Sequence, residues 1–170
     1  MFIDSEQAAK IARSAITQTQ REGDSVFAPW SAAVAGIPLL VSTVFKQPSY
    51  WLVPVNIQQQ LIGFVRILGT GEVAAVGVYY RDPAHFKQTS PASASMTGAE
   101  AREVVEQTFQ LDPGESVGAA TFVHDGPIGR EAWLVEIVRG EAATTWVFVT
   151  PAGMYERPAG SAMDGPGFLG

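Results

Sequence analysis

The chain has 170 residues, of which 46% are apolar and 16% charged, with no cysteine and a formal net charge of −6. This composition suits one ordinary domain or two small ones, and it is too apolar for a wholly disordered chain. The lack of cysteine excludes disulfides, thiol catalysis and cysteine metal sites, and the acidic charge argues against nucleic-acid binding.

The first predicted element is a helix that begins after Asp4 and runs to about Gln20. Asp4 and Gln7 have the spacing of a capping box, in which side chains satisfy the free N–H groups of a helix start. Behind them, apolar residues recur at helical spacing on one face: Ala8, Ile11, Ala12, Ala15 and Ile16. Gly23 is typical of the residue that ends a helix.

The segment from Ser25 to Phe45 carries no charge. It is long enough to span a membrane, but Pro29, Gly36 and Pro38 interrupt it, so no membrane span is predicted. We predict instead that residues 34–45 form a buried strand, with a self-association surface as the alternative explanation of the missing charge.

Two strands are predicted next, at Trp51–Val55 and Leu61–Leu68, with a possible third at Val73–Tyr80 beyond a glycine turn at Gly71. Small uncharged residues then fill 88–96, which is typical of a linker.

The same order of elements recurs after the linker. Thr97 and Glu100 form a second capping box, 93 residues after the first. A second apolar stripe follows in the same phase: Ala101, Val104, Val105, Thr108 and Phe109. Gly114 is predicted to end this helix.

Strands of the second copy lie at Trp133–Ile137 and Thr144–Thr150, 82 or 83 residues after their counterparts, with a glycine turn at Gly153. We therefore predict an α+β fold of two repeated units, each one helix packed on an antiparallel sheet of three to four strands. The predicted units are residues 1–87 and 97–158, joined by the linker 88–96 and followed by a flexible tail at 159–170. Residues 1–88 have a net charge of +1 and residues 89–170 of −7, which also indicates two units.

The second copy resembles a PepSY-type domain, and more broadly the cystatin-like helix wrapped by a curved antiparallel sheet. The resemblance rests on Thr97–Val105, Ala132–Ile137, Thr145–Val149 and the turn at Pro151–Tyr155. The first copy is similar at 50–55, 61–68 and 71–73. The resemblance implies a tandem of such units with non-catalytic roles, including inhibition or chaperoning of secreted proteases, and it brings no shared catalytic residues.

The search for reactive groups finds no pattern of a catalytic, cofactor or metal site. His85 and His124 are far apart in the sequence, and neither has a histidine partner at ligand spacing. No serine-hydrolase motif and no complete dinucleotide-binding motif occur. We therefore predict that the chain is not an enzyme and holds no cofactor.

The leading functional hypothesis is a non-catalytic protein-binding module that recognises its partner through a sheet edge or an aromatic face. The predicted partner-binding residues are Tyr50, Trp51, Trp133, Trp146 and Tyr155. The alternative is a small-molecule-binding protein or enzyme with a pocket between helix and sheet, using His124, Glu136, Arg139 or Tyr155. A structural subunit of a larger assembly, or a homo-oligomer, is a further possibility. Because no export signal is visible at Met1, the expected location is cytoplasmic.

Overall fold

The computed structural model describes residues 1–161, and within them the chain is an α+β protein with two α-helices and nine mostly antiparallel strands. The helices are α1, Ser5–Glu22, and α2, Gly98–Thr108. The strands are β1, Val34–Ala35; β2, Leu39–Thr43; β3, Pro48–Ile57; β4, Gln60–Leu68; β5, Val73–Val78; β6, Glu115–His124; β7, Glu131–Arg139; β8, Ala142–Thr150; and β9, Gly153–Pro158. Short 3-10 helices lie at Ser25–Ala32, Pro83–His85 and Ser93–Ser95. Of the predicted tail, residues 162–170 lie outside the described residues.

The chain forms two compact units. The first contains Met1–Val41 and Pro48–Ser95, and the second contains Ser42–Gln47 and the chain from Met96 onward. Compared with the boundaries expected from the sequence, the structure assigns residues 42–47 to the second unit. Within the stretch expected as a linker, Thr89 pairs with Tyr80 in an isolated bridge.

The predicted start of α1 is confirmed. The Asp4 carboxylate accepts from the Gln7 N–H at 2.8 Å, and the Gln7 side chain accepts from the Asp4 N–H at 2.9 Å, so both halves of the capping box are present. The helix ends at Glu22, two residues later than expected, and Gly23 follows in the left-handed conformation with φ 71°. Glycine adopts this conformation without the steric cost that a Cβ would bring.

The apolar stripe of α1 covers one face of the first sheet. Ala8, Ala12 and Ile16 are buried against residues of β3 and β4: Val53, Val55, Ile57, Ile62, Val65 and Ile67. In this unit β3, β4 and β5 pair antiparallel in sequence order, and β1 pairs with β3. Strand β5 is the end of that order.

The prediction of a buried strand over residues 34–45 is wrong. Two short strands occupy this stretch, and the side chains of Val34, Ile37 and Phe45 are exposed by 59%, 82% and 58%. The break falls at Gly36 and Pro38, where a fixed proline φ and a missing N–H interrupt a ladder. No described helix combines the length and apolarity needed to cross a membrane.

The second unit repeats the helix start and differs at the helix end. Thr97 and Glu100 form the predicted capping box, with distances of 3.1 and 2.7 Å. The helix ends at Thr108 with Phe109 as its cap, so the expected end at Gly114 is wrong. Gly114, with φ 85°, instead lies directly before β6, where the chain turns into the sheet.

Strands β6, β7, β8 and β9 pair antiparallel in sequence order. Because strand side chains alternate, this sheet has two apolar faces. On one face, Val135, Ile137, Val147 and Val149 pack against Ala101 and Val105 of α2. The other contains Val123, Ala132, Leu134, Trp146 and Phe148, with Val44 packed against it.

Residues 42–47 contact this sheet at the edge of β6 and on its second face. Ser42 and Thr43 pair with Val123 and His124 in parallel register. The Phe45 ring meets Trp146 edge-on at 5.7 Å, and Lys46 Nζ lies 3.0 Å from the Glu136 carboxylate. The segment thus supplies an apolar contact and an ion pair to the second unit.

Candidate functional site

The five aromatic residues expected to bind a partner lie in different surroundings. Tyr50 is fully buried, and Trp146 is 5% exposed. Trp51 and Trp133 are half-buried, each packed against the apolar cluster beneath the helix of its own unit. Tyr155 is exposed by 37%. Tyr50 and Trp51 belong to β3 of the first unit, whereas the other three lie on β7, β8 and β9 of the second.

The contacts of Trp51 are those of a core residue. Its Nε1 donates to the carbonyl of Ile3 at 3.0 Å, and its ring lies 6.4 Å from the Phe2 ring. Trp133 likewise packs on Phe122, with the ring centroids 4.9 Å apart. These contacts fix the segment before α1 to β3, and β6 to β7, within the respective units.

Tyr155 belongs to a charged network in the second unit. Asp125 is 1% exposed and accepts from Tyr155 Oη and from Arg157 Nη1, both at 2.7 Å. The Arg157 guanidinium lies over the Phe148 ring at 4.7 Å, and the Tyr155 ring stacks on Phe148. Burial, and then the hydrogen bond to Asp125, raise the pKa of Tyr155 to about 12. The carboxylate is thus held by one cation and one neutral hydroxyl, an arrangement that offsets the cost of burying a charge.

The polar residues expected to line a small-molecule pocket are dispersed. His124 Nδ1 lies 2.8 Å from the carbonyl of Gly126, Glu136 is paired with Lys46, and Arg139 lies 3.6 Å from Glu115. A cavity of about 310 Å³ does lie between α2 and the sheet. Its walls are Thr108, Phe109, Gln110, Val147, Met154, Tyr155 and Glu156. Tyr155 is the expected polar residue among them, but its ring stacks on Phe148, on the face of the sheet opposite α2.

In the first unit, β5 presents the open edge of the sheet. The N–H of Tyr79 donates to the carbonyl of Ile62 at 2.8 Å, toward β4. Val78, next to it, pairs with Gly63, and Val76 pairs with Val65. Because alternate residues of an antiparallel strand bond to opposite sides, the N–H and C=O groups of Val76 and Val78 point away from β4. Directly after β5, Ser90 donates to the carbonyl of Tyr79.

The two terminal strands differ in how their edges are protected. Strand β9 contains Glu156, Arg157 and Pro158, residue types that discourage the addition of another strand. Strand β5 has the sequence VAAVGV, with no charge and no proline. An uncharged edge of this length is a template for strand pairing. Of the two terminal strands, β5 is therefore the one open to an added strand.

A groove of about 720 Å³ adjoins the start of β5. One wall is the exposed face of α1, and the other is the β4–β5 turn with the first residue of β5. The lining residues are Ile3, Gln7, Lys10, Ile11, Ser14, Ala15, Gln18, Thr70, Gly71 and Val73. Val76 and Val78 also direct their side chains toward the α1 face of the sheet, where they pack against the first core cluster.

The sequence indicated β5 as a possible strand but not as a sheet edge. Edge position depends on which strands pair, and pairing is set by contacts between residues distant in the sequence. The one available signal was composition, because residues 73–80 carry no charge between Glu72 and Arg81. In residues 1–161 no group of three or more histidine, aspartate or glutamate side chains is placed to hold a metal ion.

Comparisons with protein-family models, with curated proteins and with solved structures gave no match for this chain. The functional argument therefore rests on the geometry of the site.

Proposed function

We propose that the chain is a tandem of two PepSY-type helix-on-sheet units. Three features support this. Both helices start with a capping box, and each packs its apolar stripe on an antiparallel sheet of its own unit. A tryptophan strand, a second strand, a glycine turn and a last strand follow in the same order in both units. The two turn glycines, Gly71 and Gly153, both have positive φ.

We further propose that the protein is a non-catalytic protein-binding module that adds an extended partner segment to the edge of β5. The observation that carries the proposal is the unprotected, uncharged edge of β5 beside the groove along α1. Extended peptides bind other proteins in this way, with main-chain bonds supplying affinity and side-chain pockets supplying specificity. Here the edge of β5 would supply the main-chain bonds, and the groove along α1 would supply the side-chain pocket.

Backbone pairing alone would bind weakly. Each net hydrogen bond contributes about 1 kcal/mol, so about four bonds to the edge would supply roughly 4 kcal/mol, and the loss of translational and rotational freedom on association offsets most or all of this. The apolar residues of the groove, Ile3, Ile11 and Val73, are placed to add to this by covering side chains of the bound segment. We expect a Kd in the micromolar range for a segment that uses both.

The test is selection of binding peptides from an unbiased display library, followed by affinity measurement on three forms of the full chain. Val76→Pro removes the outward N–H of Val76 and leaves the bonds between β4 and β5 in place. Val76→Ala removes the side chain but keeps the N–H, and is the matched control. We expect selected peptides to bind the wild type and Val76→Ala within about threefold, and Val76→Pro at least about tenfold more weakly.

Two outcomes would contradict the proposal. One is that all selected peptides bind the three forms equally, since their site would then not be the edge. The other is that the wild type is a dimer that Val76→Pro dissociates, since β5 would then pair with a second copy of the chain.

The cavity between α2 and its sheet supports a second candidate, a small-molecule site in the second unit. Its test is a ligand-observed NMR screen of small carboxylates and amides against the wild type and Met154→Ala. Ligands that bind the wild type and are lost in the variant would support this candidate, and a screen without such ligands would exclude it.

A further inference from the structure

The groove beside β5 has a distinctive charge. Among its lining residues only Lys10 is ionisable, and its side chain is exposed on α1. The acidic charge of the chain lies in residues 89–170, which carry −7, whereas residues 1–88, which contain the groove, carry +1. Lys10 therefore gives the groove a local preference for a negatively charged side chain.

The position of Lys10 places this charge beside the apolar floor of the groove. Gln7, Ser14 and Gln18 lie three residues before Lys10, and four and eight residues after it, so all four share one face of α1. Below them, Ile3 and Ile11 approach the β4–β5 turn so closely that a Cβ at Gly71 would lie 3.7 and 3.5 Å from their side chains. The groove thus has an apolar floor and a polar helix wall.

An added strand would present alternate side chains to this groove. In an extended segment paired with β5, every second side chain points to the same face of the sheet as Val76 and Val78, which is the α1 face. One of these side chains of the added segment would contact the apolar floor of the groove. The side chain two residues away would lie beside Lys10. The remaining side chains would point to the opposite face.

We propose that the groove selects an extended segment in which an apolar residue and an aspartate or glutamate alternate on the α1 face, with the carboxylate paired to Lys10. This inference rests on the proposed binding at β5 and specifies the chemistry of the partner. Lys10 is the residue that determines specificity, while the edge of β5 supplies the main-chain bonds.

The experiment uses one edge-dependent peptide from the selection and its copy with asparagine in place of the groove-facing carboxylate. Both are titrated into the wild type, Lys10→Met and Lys10→Glu. The matched control is Arg13→Glu, which makes the same change of charge on an exposed residue of α1 outside the groove lining. Circular dichroism melts establish that each variant is folded.

We expect the acidic peptide to bind about threefold more weakly to Lys10→Met and about tenfold more weakly to Lys10→Glu, because an exposed ion pair is modest and a like-charge pair is repulsive. The asparagine peptide should bind these variants and the wild type equally. A lysine at the same peptide position should restore binding to Lys10→Glu, and raising the salt concentration should weaken only the acidic peptide.

Edge-dependent peptides that bind Lys10→Glu as tightly as Arg13→Glu would overturn this inference and leave the proposed binding at β5 intact. Selected peptides without a groove-facing carboxylate would do the same. Failure to obtain any edge-dependent peptide would overturn both proposals, so the two failures are distinguishable.

Discussion

Asp125 lies between β6 and β7 in the second unit. Its carboxylate is buried and is held by Arg157 and Tyr155. Arg157 is itself 16% exposed, so removal of the carboxylate would leave a cation largely out of water. Removing either partner alone would destabilise the fold, because the other charge would stay buried without its partner.

We expect Asp125→Ala to lower the free energy of unfolding by about 3–5 kcal/mol, the cost typical of breaking a buried ion pair. Urea denaturation would measure the loss. The control is Asp82→Ala, which removes an exposed carboxylate paired with His85 and should cost much less. Equal effects of the two substitutions would contradict the structural role assigned to Asp125.

The raised pKa of Tyr155 predicts how the stability of the folded protein changes with pH. Its pKa is raised to about 12 in the folded protein, so the folded state keeps the phenol proton over a range in which the unfolded chain, with a pKa near 10, loses it. The stabilisation from this group is complete below pH 10 and is lost as the pH rises toward 12. We expect the urea midpoint of the wild type to fall more steeply over this range than that of Tyr155→Phe. Parallel curves would show that the pKa of the Tyr155 phenol is not raised in the folded protein.

At the scale of elements, the two helix starts are local structures that the sequence specifies fully. Each capping box joins two residues three positions apart, so the sequence alone shows the required spacing. We expect Asp4→Ala and Thr97→Ala each to lower stability by about 1 kcal/mol in thermal or urea denaturation. Thr17→Ala, at an exposed interior position of α1, is the control, and an equal loss there would exclude a capping effect.

Elements that depend on distant partners were predicted less well. The alternation of Trp51, Val53 and Val55 places these three residues on one side of β3, and the structure packs that side against α1. It could not show that Tyr50 and Leu52, on the other side, are also buried. The prediction of a buried strand at residues 34–45 was wrong for a related reason. An apolar run is buried only where other elements of the fold cover it, and the sequence of the run does not show whether they do. The edge position of β5 likewise follows from strand order and not from its own sequence.

At the scale of the whole molecule, two units with similar element order end in strands of different character. The composition of β5 and β9 distinguishes an unprotected edge from one with a charged pair and a proline. This difference predicts one binding site per chain. Isothermal titration calorimetry with an edge-dependent peptide should give a 1:1 stoichiometry, whereas two peptides per chain would show that β9 also accepts a strand.

The most direct test of the central claim is amide hydrogen exchange at Val76, measured by NMR with and without an edge-dependent peptide. The N–H of Val76 points away from β4 and should exchange quickly in the free protein, while that of Gly77 is directed to β4 and serves as the internal reference. We expect the peptide to slow exchange at Val76 by at least about tenfold and to change Gly77 little. Binding without protection of Val76 would contradict strand addition at β5.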